Sequence, residues 1–199
     1  MPEDPTDRAL LRALSAQADH KALSAEFPGL TRERLDAFFQ RIARLLPPEA
    51  ARPSAEAQEA ALVGCDELVL YTDGGSRGNP GPAGCGAVLA NGSGKVVREM
   101  SEYIGHATSN EAEYTALLLG LDAARAAGAR RIRVRADSEL LVRQITGQYK
   151  VKSAKLAPLF RRAMALLGGF EGWRAEHIPR SRNAEADLLA NEAMDRGVS

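Results

Sequence analysis

The chain is poor in cysteine and aromatic residues and carries no net charge, and each shortage removes a class of protein from consideration. Two cysteines, Cys65 and Cys85, stand among 199 residues. They are too few for a disulfide framework and lack the spacing of a zinc ligand set, so both are expected to be reduced and structural. Aromatics make up 5% of the chain, with Trp173 the single tryptophan, which leaves no platform for stacking single-stranded bases. Trp173 alternates with polar neighbours and is expected in the core. No apolar run reaches the length of a membrane span. The first residues, with Glu3, Asp4, Asp7 and Arg8, lack the apolar core of a signal peptide. A soluble, cytoplasmic protein with no membrane partner is expected. The 26 basic residues are balanced by 26 acidic ones, which at first sight argues against a polyanionic partner.

What is present is enough apolar residue, 45% of the chain, to bury one core with a small unit beside it. Leu10, Leu11 and Leu14 suggest a first helix. After the Phe27-Pro28-Gly29-Leu30 turn, Thr31 is a plausible N-cap, and Leu35, Phe38, Phe39, Ile42, Leu45 and Leu46 recur at helical spacing. This predicts a helical N-terminal unit over 1–46. Residues 47–64 are rich in Ala, Pro and Glu and read as a linker. The main domain is expected over 65–199. The first 64 residues hold 8 basic and 10 acidic side chains, leaving 18 and 16 beyond, so neither part is a blatant nucleic-acid binder by charge.

Beyond the linker the pattern predicts strands at 67–73, 84–90 and 95–104, with Asn91-Gly92-Ser93-Gly94 turning the last two into a hairpin. A long helix follows over Ser109–Ala127, opened by a capping box of Thr108 and Glu111 and closed by Gly128. Arg131 to Ala136 alternates as a fourth strand, helices are expected at 138–146 and 155–167, a fifth strand at 172–178 and a last helix at 184–194. The order βββαβααβα implies an α/β domain with a mixed five-stranded sheet flanked by helices. Its first, fourth and fifth strands run parallel, because helical crossovers join them.

This topology gathers carboxylates. Asp73 ends the first strand and Asp137 the fourth, so parallel neighbours bring them to one sheet edge. Glu113, in the first turns of the long helix, and Asp187, near the start of the last, can point to the same edge. Any one of them alone reads as a cap or a surface charge. Four together repel unless a cation sits among them, and oxygen ligands without His or Cys suit Mg²⁺ or Mn²⁺. A pair of such ions can hydrolyse a phosphodiester.

Four motifs then stand in order: Tyr71-Thr72-Asp73-Gly74-Gly75-Ser76-Arg77-Gly78-Asn79-Pro80-Gly81-Pro82, Thr108-Ser109-Asn110-Glu111-Ala112-Glu113, Ala136-Asp137-Ser138 and Asn183-Ala184-Glu185-Ala186-Asp187. Through them the sequence resembles the type 1 ribonuclease H family over residues 67–195, in the prokaryotic subgroup that lacks a basic protrusion. The resemblance implies a ribonuclease H-like fold and an endoribonuclease that cuts the RNA strand of RNA/DNA hybrids with two divalent ions. It implies that Asp73, Glu113, Asp137 and Asp187 are the catalytic metal ligands, with Asp73 bridging both ions. Glu113 is preferred to Glu111 because the family's glutamate stands five residues after the threonine that Thr108 matches.

The same resemblance places Gly74, Gly75, Ser76, Asn79, Thr108, Ser109, Asn110 and Ser138 against substrate, although turn and cap formation explains Asn79, Thr108 and Asn110 as well. In the family the glycine-rich loop approaches the nucleic-acid backbone. A dinucleotide-binding reading of Gly74 to Gly86 fails because the run continues as a strand instead of opening a helix. For the family's mobile auxiliary catalytic residue, Arg180 is favoured and His177 is the alternative. His20 and His106 have no evident partners. Between Leu140 and Phe170 there is no acidic residue, whereas Arg143, Lys150, Lys152, Lys155, Arg161 and Arg162 make a local basic patch. Without the protrusion, grip on the hybrid is expected to be weaker unless the N-terminal unit helps, and duplex RNA is a possible further substrate. The competing readings are a non-catalytic nucleic-acid-binding module of the same fold and an interaction protein acting through its N-terminal helices.

Overall fold

Side chains alternate across a strand, and in β1 (Glu67–Ser76) this turns the fully buried Leu68 and Leu70 to one face and Val69 to the other. β1 is therefore covered on both sides and sits in the middle of the sheet. β2 (Gly81–Asn91) and β3 (Val96–Ala107) extend it antiparallel, joined by the turn at residues 92–95, and β4 (Arg131–Ala136) and β5 (Gly172–His177) extend it parallel on the other side. The strand order is β3-β2-β1-β4-β5, the mixed sheet expected from the sequence. The computed structural model describes residues 31, 34–35 and 66–197. The chain divides into two compact units, Met1–Arg52 and Pro53–Ser199.

Most of the helical unit expected at 1–46, the linker at 47–64, Cys65 and His20 lie outside the described residues. Thr31 is described, and its Oγ1 accepts from the Arg34 N–H at 3.3 Å while its carbonyl accepts from the Leu35 N–H at 3.0 Å, as a helix N-cap does.

One face of the sheet is covered by α1 (Ser109–Ala126), with α2 (Glu139–Ile145) and α3 (Leu156–Leu167) beside it. Leu68, Leu70, Leu89, Leu117, Leu121, Ile132 and Val134 form the centre of that core, each such side chain contributing about 1.5–3 kcal/mol by leaving water. Trp173 packs half-buried against it. The other face of β1, β2 and β3 is covered by α4 (Ala184–Gly197) through Val88, Ala186 and Leu189. On β4 the alternation puts Ile132, Val134 and Ala136 inward. Its arginines find partners on neighbouring strands, Arg133 with Glu67 at 3.2 Å and Arg135 with Glu176 at 2.8 Å.

Three strands are longer than their composition predicts. β1 continues past Asp73 to Ser76, β2 begins at Gly81 instead of Gly84, and β3 runs on to Ala107. The cause is mutual pairing, Gly74 with Cys85, Gly75 with Gly84 and Ser76 with Ala83. Glycine's low strand propensity hides such a ladder from a local reading. The glycines also permit close helix approach. A Cβ on Gly74 would stand 2.2 Å from the backbone of Ala112 and Glu113 in α1, and one on Gly86 would stand 2.3 Å from the Ala186 carbonyl in α4. Bare backbone at these positions brings both helices, and the acidic residues near their starts, down onto the sheet. Cys85, on β2 between the strand glycines, is buried, and burial pushes its thiol up to about 12, which suits an inert packing residue.

Candidate metal centre

β4 pairs with β1 only as far as Thr72 and Ala136, so Asp73 and Asp137 each stand one residue beyond the last parallel pair. The sheet opens there. The capping box fixes the start of α1: Thr108 Oγ1 accepts from the Glu111 N–H, and the Glu111 carboxylate accepts from the Thr108 N–H at 2.9 Å. Glu111 is thereby occupied at the cap, and the Thr108 hydroxyl, donating to it at 2.7 Å, together with the Thr108 N–H holds its carboxyl below the ordinary range. Glu113, half a turn further on, faces the opening in the sheet.

Carboxylate oxygens of Asp73, Glu113 and Asp137 lie within 4.8 Å of one another. Asp187, in the first turn of α4, adds its charge at Asp73. Burial, then the charges of Asp137 and Asp187, push the Asp73 carboxyl up to about 7. Burial, then Asp73 and Asp137, push Glu113 up to about 9. Glu113 Oε2 is buried with no hydrogen-bond partner. A hard divalent cation answers each of these features, since it neutralises the cluster and ligates the orphaned oxygen, and an all-oxygen donor set suits it.

Among the described residues, the cation that acts on the cluster is Arg180, on the 3-10 turn Arg180–Arg182. Its Nη2 donates to Asp187 Oδ1 at 2.5 Å, and its field also lowers Asp73 and Glu113. Its side chain is 74% exposed, so it meets Asp187 from the solvent side. His177 ends β5, and its Nε2 donates to the Asp137 carbonyl at 3.2 Å, an anchor to the backbone beneath the carboxylates.

The raised carboxyls give the protein a pH dependence of definite sign. Folded, Asp73 and Glu113 keep their protons above the ordinary 3.8 and 4.5, so the unfolded chain binds fewer protons and stability falls as pH rises. The window runs from 3.8 to about 7 for Asp73 and from 4.5 to about 9 for Glu113. Without metal, the melting temperature is expected to fall across this window, less steeply in Glu113→Gln, and to recover when Mg²⁺ is added above it. Equal slopes in the two proteins would contradict the assignment.

Around the cluster, most of the polar residues singled out in the sequence bond within the fold. Ser76 Oγ donates to the Ala107 carbonyl at 2.8 Å, Asn79 Oδ1 accepts from the Ser109 N–H at 3.2 Å, and Ser138 caps α2. Gly75 lies against Met194 of α4. Asn79, Thr108 and Asn110 line an open depression of about 240 Å³ with Ser153 and Lys155. The basic patch is partly neutralised from outside its own segment. Arg143 pairs with Glu139 at 2.7 Å and Arg162 with Asp122 at 2.6 Å. Exposed Tyr149 lies under the Arg143 guanidinium, 5.0 Å from it. A second depression runs from Gln144 past Tyr149 and Lys150 to Phe160 and Arg161.

Asn183 is the site residue that sequence reasoning overlooked. In the sequence it is only the first residue of the motif that ends at Asp187, yet it is 1% exposed and its Nδ2 donates to Asp137 Oδ1 at 2.8 Å and to the Thr72 carbonyl at 2.9 Å. Its place in the motif that ends at Asp187 was the available signal.

A family model described as "Reverse transcriptase-like" matches residues 71–193. Among curated proteins, ribonuclease HI of Halobacterium salinarum is 48% identical over 125 residues, 63% of this chain and 63% of that protein. A bifunctional protein of Mycobacterium tuberculosis is 48% identical over 130 residues, 65% of this chain and 36% of that protein. The chain thus spans less than two thirds of the length of each. Ribonuclease H of Anaplasma marginale is 33% identical, over 68% of this chain and 95% of that protein. Among solved structures, LC11 ribonuclease H1, crystallised in complex with an RNA/DNA hybrid, has a TM-score of 0.64, with 43% identity over 66% of this chain and 99% of that one. Among the described residues no helix is long and apolar enough to cross a membrane.

Proposed function

This chain belongs to the ribonuclease H family, and on that premise we propose that it is an endoribonuclease that hydrolyses the RNA strand of RNA/DNA hybrids with two divalent ions, Mg²⁺ or Mn²⁺. The observation that carries the reading is the carboxylate cluster, with Asp73, Glu113 and Asp137 within 4.8 Å and the charge of Asp187 felt at Asp73. A non-catalytic binding module has no use for a complete, mutually repelling set. Its site of action is taken to be the cytoplasm. In this reading 65–199 is the catalytic domain, with 1–46 a helical accessory unit and 47–64 its linker.

Asp73, Glu113, Asp137 and Asp187 would hold the ions, with Asp73 central because it neighbours each of the others. When bound, the ions activate a water and stabilise the leaving oxygen of the phosphodiester. The buried floor excludes bulk water and holds protons on Asp73 and Glu113 until a cation replaces them. Gly74, Gly75, Ser76, Asn79, Thr108, Ser109, Asn110 and Ser138 border the cluster along β1, the following loop and two helix starts, a polar, uncharged set suited to sugars, 2′-hydroxyls and backbone. Their bonds within the fold hold them in place for that contact. Lys150, Lys152, Lys155 and Arg161 supply cations for phosphates.

Arg180 is the auxiliary catalytic residue in this reading, because its exposed guanidinium meets a carboxylate of the cluster, Asp187, while a His177 nitrogen is held by backbone. Arg180→Ala is expected to lower kcat about 100-fold with little change in Mg²⁺ affinity. A larger loss in His177→Ala would transfer the role.

The reaction class is tested by the product ends. Attack by water leaves linear phosphate termini, whereas attack by the RNA's own 2′-hydroxyl leaves a 2′,3′-cyclic phosphate. Mass spectrometry of fragments from a cleaved hybrid is expected to show linear termini from the first turnover, and cyclic phosphates would overturn the mechanism.

A further inference from the structure

We infer that Asn183 is a positioning residue, holding the Asp137 carboxylate in the geometry with which it ligates a divalent ion. Its amide hydrogens go to Asp137 Oδ1 at 2.8 Å and to the Thr72 carbonyl at 2.9 Å. Both partners are acceptors, so the amide orientation is forced, since a flipped amide would set Oδ1 against two oxygens. The side chain is 1% exposed, and water does not compete for these bonds.

A capping role does not account for the residue. The Asp187 N–H bonds the Asn183 backbone carbonyl at 3.0 Å, while Asn183 Oδ1, the atom a cap would use, is buried without a partner. The two donors are what the position requires. Through them one side chain ties Thr72, the last residue of β1 to pair with β4 and the neighbour of Asp73, to a carboxylate that lies beyond the end of β4. Asp137 is otherwise fixed through its backbone, by His177 at its carbonyl and by the preceding Ala136 carbonyl, which accepts from the Ile178 N–H at 2.9 Å. A carboxylate held by one oxygen keeps the second for an ion, and a fixed rotamer lowers the ordering cost of binding.

The inference rests on the reading of the carboxylates as ion ligands, and the test separates the two. Full-length wild type and Asn183→Ala are titrated with Mn²⁺ by calorimetry, and kcat and KM are measured on a hybrid. The variant is expected to bind Mn²⁺ about 10-fold more weakly and to lose kcat by a similar factor, with KM for the hybrid little changed. Wild type that binds no Mn²⁺ sinks the ligand reading. Wild type and a folded variant that bind Mn²⁺ equally sink the role of Asn183 alone. Should Asn183→Ala fail to fold, NMR of the labelled wild type decides. The Asn183 side-chain amide is expected to resist solvent exchange and to shift in Asp137→Asn, and a freely exchanging amide indifferent to that change overturns the inference.

Discussion

Asp73→Asn is expected to reduce cleavage of an RNA/DNA hybrid by about 1,000-fold or more, a loss of roughly 4 kcal/mol of transition-state stabilisation, while the metal-free protein melts higher than wild type. Both effects have one cause. The amide keeps the volume of the carboxylate at a residue only 8% exposed, so packing survives, but it removes the charge that Asp137 and Asp187 oppose. Without metal that charge is a liability, and each kcal/mol relieved should raise the melting temperature by about 3–5 °C in a domain of this size. With metal the same charge is the ligand, so the stabilisation that Mg²⁺ gives to wild type should be largely absent in the variant. Undiminished cleavage would remove Asp73 from the active site. Lost cleavage with a lowered melting temperature would mean that the carboxylate is structural.

Gly74→Ala should damage fold and activity together. The new Cβ would meet Ala112 C and Glu113 N at 2.2 Å, backbone atoms that move only if α1 moves. Overpacking of this kind costs about 1–3 kcal/mol. A shift of about 1 Å in Glu113 relative to Asp73 is enough to cost about 100-fold in rate. Gly92→Ala is the control, because nothing lies within 4 Å of its added methyl. The expected result is a lower melting temperature and slower cleavage for Gly74→Ala, with both near wild type for Gly92→Ala. A Gly74→Ala enzyme of full activity would show that α1 does not set the position of Glu113.

What the sequence reveals about this site is what depends on local periodicity. The hairpin turn, the Thr108–Glu111 capping box and the end of β4 just before Asp137 are each written in a few consecutive residues. The crossover rule then brings Asp73 and Asp137 to one sheet edge, with Glu113 and Asp187 able to point to it from their helix starts. What stays hidden depends on partners distant in the chain. The extra strand residues at Gly74, Gly75 and Ser76 exist because β2 pairs with them. The strand glycines carry little local signal of the helices that press on them. Arg143 and Arg162 stand in a segment without acids, yet Glu139 and Asp122 neutralise them from α2 and α1. Asn183 has the sequence signature of a cap and the contacts of a clamp, and only the fold distinguishes the two.

The most direct test is gel-resolved cleavage by the full chain of one sequence offered as RNA/DNA hybrid, duplex RNA, duplex DNA and single-stranded RNA, with Mg²⁺, with Mn²⁺ or with EDTA. The account predicts cutting of the RNA strand in the hybrid, supported by a divalent ion and abolished by EDTA, with any cutting of duplex RNA marking relaxed specificity on top of it. Hybrid RNA left intact by the folded protein with either ion, or cut equally well in EDTA, would contradict it.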